Sequence, residues 1–182
     1  MQAYIQRIKN IHRELGIPMN YEHSYGLPLQ KEETSLVEIG GDIYGRLQWL
    51  APFAAGAWRN MKSHAEKEGI VLNVVSAYRS VDKQKEIIQR KMESGEGISE
   101  ILLVCAAPGY SEHHTGKALD LTSNGCEPLS EMFEATEAFS WLVENAEFHS
   151  FGLSYPKDSK TGISYEPWHW AYNQKELHSK SS

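Results

Sequence analysis

The segment Ala118-Leu119-Asp120-Leu121-Thr122 places a carboxylate between two leucines, with Gly116 shortly before it. Its length and composition predict a strand, on which successive side chains alternate between faces. Leu119 and Leu121 then enter a core, while Ala118, Asp120 and Thr122 share the opposite face. The small Ala118 leaves room on that face. A chain of 182 residues fits one hydrophobic core, so 1–182 is read as a single domain.

Upstream, Ile5, Ile8, Ile11 and Leu15 follow helical spacing and predict an amphipathic helix stopped by Gly16 and Pro18. Residues 18–35 lack a period and predict a surface loop, either a lid or a connection. Asp42 predicts the cap of a long helix through Ile43, Leu47, Leu50, Phe53, Ala54, Ala57, Trp58 and Met61, which Pro52 can divide and which ends near Gly69. Residues 1–69 are therefore read as mostly helical and without a recognisable motif, and 70–172 as the part that carries chemistry.

In that second part, Ile70 to Ala77 is rich in β-branched residues and predicts a buried strand that delivers Tyr78, Arg79 and Ser80. Ser80 can cap a helix with Gln84 in its first turn. A short apolar run, 101–107, leads through Pro108-Gly109 into the densest polar cluster of the chain, Tyr110 to Asp120. Phe139, Leu142, Val143 and Ala146 predict another helix, and Leu153 to Tyr155 a strand. Residues 157–162 read as a polar loop. Trp168, Trp170 and Tyr172 read as core aromatics, one of which can wall a pocket.

A net charge of −6 and a pI near 5.8 argue against a nucleic-acid surface. No stretch approaches the roughly 18 apolar residues of a membrane span, and Met1 to Lys9 lacks the pattern of an export signal. The chain is expected in the cytoplasm, or in the cell envelope if a leader is removed from it. Cys105 and Cys126 are too few for a disulfide framework and are expected as free thiols.

Two clusters carry chemistry. His113 and Asp120 flank Gly116, whose bend is needed if two residues seven apart are to face the same point. Nitrogen and oxygen donors of this kind suit zinc, and a catalytic zinc takes three protein ligands while leaving a place for water. His169 is the candidate third ligand. Glu166 stands three residues before it with Pro167 between, so the pair sits on a turn or a strand end. A carboxylate beside such a metal can take a proton from water and pass it to a leaving amine. Arg79, a permanent cation at a strand end, can stabilise an oxyanion. His114 reads as exposed or as a support to His113. His12, His23, His64, His149 and His178 are set aside.

At these positions the sequence resembles the zinc D-alanyl-D-alanine carboxypeptidases of the VanY type, in the wider group with the Hedgehog-like peptidase fold. The resemblance rests on Ser111, His113, Gly116, Ala118 and Asp120, on Glu166 and His169, and on Ser76 to Ser80. It implies an α+β domain, a small antiparallel sheet packed against helices with the metal at a sheet edge. It also implies Zn²⁺ on His113, Asp120 and His169, Glu166 as base, and Arg79 stabilising the transition state. Ser111 and Gln84 would help hold the substrate's terminal carboxylate, and Tyr78 would line the pocket. The implied partner is a peptidoglycan stem peptide, its precursor or a fragment, acted on by a monomer. An L,D-carboxypeptidase or an endopeptidase would keep the same metal site, and a binding module without turnover is the reading from another class.

Overall fold

The structure is a computed structural model and describes residues 1–173; His178 lies outside the described residues. The segment Ala118–Thr122 is a strand, β4, in a four-stranded antiparallel sheet. For the rest of the chain the elements are α1 (Gln2–Leu15), α2 (Tyr21–Tyr25), β1 (Val37–Gly41), β2 (Leu47–Leu50), α3 (Pro52–Lys67) and β3 (Asn73–Ser76) before it. α4 (Val81–Glu93) and α5 (Ile98–Val104) also precede β4, and α6 (Glu137–Asn145), β5 (Phe151–Leu153) and β6 (His169–Tyr172) follow it. The sheet order is β3-β4-β6-β5, and β1 and β2 form a separate hairpin.

Leu119 and Leu121 are fully buried on one face of β4, in a core shared with Ala54, Trp58 and Met61 of α3, Leu142 of α6 and Trp170 of β6. Each such side chain contributes roughly 1.5–3 kcal/mol by leaving water. A second core lies among the helices: Ile8, Ile11 and Leu15 of α1 meet Tyr21 of α2, Val81 and Ile88 of α4, and Ile101 and Leu102 of α5. The mixed architecture is the α+β fold expected.

One expected element is replaced. Asp42 caps no helix; it sits in the β1–β2 turn, where its carboxylate accepts from the backbone N–H groups of Tyr44 and Arg46 and from the Arg46 and Gln48 side chains. Gly45, at φ +75°, lets the chain reverse there. Leu47 and Leu50 match a helical period, yet in the hairpin they stand at the two ends of β2, Leu47 exposed and Leu50 buried. The helix begins instead at Pro52, in its first turn.

Residues 18–35 include the short α2 and then brace the back of the polar cluster. Gln30 and Glu33 donate backbone hydrogen bonds to the carbonyls of Gly109 and His114, and Glu32 accepts from the Val81 N–H at the start of α4. These bonds tie the segment to the start of α4 and to the polar cluster. The predicted strand near Leu153 begins two residues earlier, at Phe151, and the apolar run after Gly97 is α5. Cys105 and Cys126 are free, Cys105 being buried. Among the described residues no helix is long and apolar enough to cross a membrane.

Candidate active site

Strand register brings the first two donors together. Asp120 of β4 pairs directly with His169 at the start of β6, and with Ser76 of β3 on its other side. Residues opposite one another in an antiparallel pair share a face, so Asp120 and His169 meet on the face away from Leu119 and Trp170. Both belong to the two central strands, so the cluster sits on the middle of the sheet and not at its edge as expected.

His113 arrives from a 3-10 turn, Glu112–Thr115, that ends at Gly116 with φ +63°. A side chain at Gly116 would meet the backbone nitrogen of Ala51 at 2.8 Å, and that same Ala51 N–H donates to the Gly116 carbonyl. Both the left-handed backbone and the close approach require glycine. The bend turns His113 back over β4, leaving its Nε2 3.1 Å from Asp120 Oδ2, while His169 Nδ1 lies 3.0 Å from Asp120 Oδ1. One donor atom from each of His113, Asp120 and His169 lies within 4.8 Å of the others, and all three residues are buried.

The outward nitrogens are also engaged. His113 Nδ1 donates to the Ala77 carbonyl at 2.6 Å, and His169 Nε2 to Glu112 Oε2 at 2.9 Å. These bonds orient both rings with the remaining nitrogen towards Asp120, the usual support for imidazole ligands. Charge tells the same story. Burial and the nearby Arg79 push His113 towards its neutral form, with Asp120 opposing. For His169 burial is overcome by Asp120 and Glu112, whose hydrogen bonds and charge push it up to about 10. His169 thus stands between two carboxylates, Asp120 on Nδ1 and Glu112 on Nε2. The donor set of two nitrogens and a carboxylate oxygen, with their spacing and their supported rings, fits a metal ion.

Glu166 sits in the turn before β6, its backbone carbonyl accepting from His169 N–H and its Oε2 3.7 Å from His169 Nδ1. Burial is the main cause that pushes its carboxyl up to about 7; Asp120 and Glu112 add to the rise, and His169 and Arg79 oppose it. Arg79 enters from the other side. Its guanidinium donates to Gln84 Oε1 at 2.9 Å and Ser76 Oγ at 3.0 Å, and lies 3.5 Å from Asp120 Oδ2. Ser80 caps α4 by accepting from Lys83 N–H, as its position suggested, and so places Gln84 one turn below Arg79.

These groups open into one cleft of about 460 Å³, lined by Arg79, Gln84, Ser111, His113, Asp120, Glu166 and His169 among others. Tyr155 and Trp168 are also in its wall. Gln84 is buried and saturated: its amide nitrogen bonds the Ala106 carbonyl and Cys105 Sγ. Tyr78 is not among the described residues that line the cleft; it is half-buried beside Glu32. His114 proves to be a support. It accepts from Gly109 N–H at Nε2 and donates from Nδ1 to the Arg79 carbonyl, and burial lowers it to about 4.

Sequence reasoning passed over Glu112 and Tyr155. Glu112 stands inside the polar cluster, but its partner His169 is 57 residues away, and no local pattern links them. Tyr155, read as part of a strand, packs its ring on His169 at 4.8 Å between centroids.

A family model for VanY, D-alanyl-D-alanine carboxypeptidase, matches residues 47–175. The protein YodJ of Bacillus subtilis is 38% identical over 166 residues, covering 89% of this chain and 58% of its own length. A D-alanyl-D-alanine carboxypeptidase of Enterococcus faecalis is 34% identical over 118 residues, 59% of this chain and 42% of that protein. The chain thus spans about half the length of these two relatives. Among solved structures, the LD-carboxypeptidase LdcB aligns with TM-score 0.69 and 37% identity over 80% of this chain and 71% of its own. VanYB in complex with D-alanine-D-alanine aligns with TM-score 0.63 and 27% identity over 80% and 81%.

Proposed function

This chain belongs to the VanY family of D-alanyl-D-alanine carboxypeptidases, and from that premise we propose that it is a zinc-dependent carboxypeptidase releasing the C-terminal D-alanine of peptidoglycan stem peptides. The observation that carries the reading is the convergence of His113, Asp120 and His169 with Glu166 and Arg79 in one cleft. A VanY of the same fold has been solved in complex with Zn(II), at 27% identity and TM-score 0.62.

His113 Nε2, His169 Nδ1 and an Asp120 oxygen would hold the ion, which when bound supplies Lewis acidity to polarise the scissile carbonyl and acidify water. Glu166, raised by burial to about 7, takes a proton from water as the oxygen adds to the carbonyl carbon. It then returns that proton to the amine nitrogen as the C–N bond breaks, leaving D-alanine and a shortened peptide. Arg79 faces the charge that develops on the carbonyl oxygen. Ser111 contacts the substrate's terminal carboxylate, whereas Gln84, with its polar atoms engaged, contributes by holding Arg79. The monomer is taken as the active unit.

The likeness to an LD-carboxypeptidase at higher identity than to VanYB favours a second reading, cleavage between an L- and a D-residue at the same metal. Incubating the zinc-loaded protein with a pentapeptide ending in D-Ala-D-Ala, with the tetrapeptide and with a cross-linked muropeptide separates the two by product mass. Loss of one alanine from the pentapeptide alone supports the D,D reading. Loss from the tetrapeptide alone establishes the second, and no release from any substrate removes both.

A further inference from the structure

Within this zinc reading, the two histidines of the cluster are held by unlike partners. His113 leans on a neutral backbone carbonyl, that of Ala77. His169 leans on a carboxylate, that of Glu112. Glu112 is the first residue of the 3-10 turn whose second residue is His113. One turn therefore carries a ligand and, on the adjacent residue, the group that orients the opposite ligand.

We infer that Glu112 is a positioning residue for the metal: its carboxylate holds the Nε2–H of His169, turns Nδ1 towards Asp120, and adds negative charge behind the ligand. The geometry behind this is tight. The His169 ring is buried, bridged on its two nitrogens at 3.0 and 2.9 Å, and covered by the Tyr155 ring. Without an acceptor at Nε2, the ring is free to carry its proton on Nδ1 and so present no lone pair to the cluster. An imidazole that donates to a carboxylate is also the more basic ligand, and loss of such a partner commonly weakens metal binding about 10–100-fold. Glu112 is not among the described residues that line the cleft, so its effect passes through His169.

The test measures zinc affinity directly, by competition with a chromogenic chelator at fixed pH, for the wild type, Glu112→Gln and Glu112→Ala. The expected result is a loss of about tenfold for Gln, which keeps an acceptor but not the charge, and nearer 100-fold for Ala. Thermal unfolding of the metal-free proteins controls for a folding defect in Ala, and the near-isosteric Gln variant carries the test alone if Ala does not fold. Wild-type affinity in either variant overturns the inference. A wild type that binds no zinc overturns the metal reading beneath it, and this inference with it.

Discussion

The molecule has two cores, and the cleft runs along the seam between them. The sheet core, built on Leu119, Leu121 and Trp170, holds Asp120 and His169 by strand register. The helical core, built on α1, α4 and α5, holds Arg79 and Gln84 through the capped start of α4. The first side supplies metal donors at fixed spacing; the second supplies a cation and the cleft's opposite wall. The family match covers 47–175, so α1 lies outside it, yet α1 is part of the second core. Ile8 packs on Gly109 so closely that a Cβ there would meet it at 2.8 Å. The N-terminal region outside the family model thus buttresses the turn that leads into His113.

The division predicts that groups acting on the substrate, on either side, can be removed without losing the metal. Glu166→Ala, beside the sheet donors, should lower kcat about 10²–10⁴-fold with zinc content unchanged; metal analysis alongside turnover checks it, and unchanged turnover removes the base assignment. Arg79→Ala, on the helical side, should lower kcat about 10²–10³-fold and also keep its zinc. Loss of the metal in that variant would erase the distinction drawn between the sides.

Core truncations separate the sides by what else they disturb. Leu119→Ala and Ile88→Ala should each cost about 2–5 kcal/mol in chemical denaturation. Zinc affinity is expected to fall with the first, because Leu119 anchors the strand that bears Asp120, and to hold in the second. Equal affinities would show that register survives the cavity.

The smallest effect concerns pH. His12, buried in the helical core with its Nε2 on the Pro108 carbonyl, is lowered from its ordinary value, chiefly by burial. The unfolded chain then binds its proton more readily than the folded one. Its contribution to stability is complete above about pH 6.5 and is lost as pH falls towards the folded pKa. Replacing His12 by Gln should flatten that part of the decline between pH 7 and pH 5, as read from denaturation midpoints. An unchanged slope would place the acid sensitivity elsewhere.

Legibility differed between the same two regions. β4 was readable because five residues alternate between core and site, and Ser80 because a cap acts within one turn. The hairpin at 37–50 was not. Ile43, Leu47 and Leu50 satisfy a helical period, and the glycines and Asp42 override it only through a turn whose hydrogen bonds the period does not contain. Tyr78, which the family resemblance placed in the pocket, is not among the described residues that line the cleft, since adjacent residues on extended chain point apart.

The carboxylate between two leucines, the glycine before it and the Glu166–His169 pair were properties of the sequence alone, since each depends on neighbours within a few residues. Their convergence was not. Pairing β4 with β6 sets Asp120 opposite His169, and the 3-10 turn sets Glu112 on the far side of the His169 ring. Register and long-range hydrogen bonds are decided by which apolar faces the whole chain must bury together, and only the tertiary structure contains that choice.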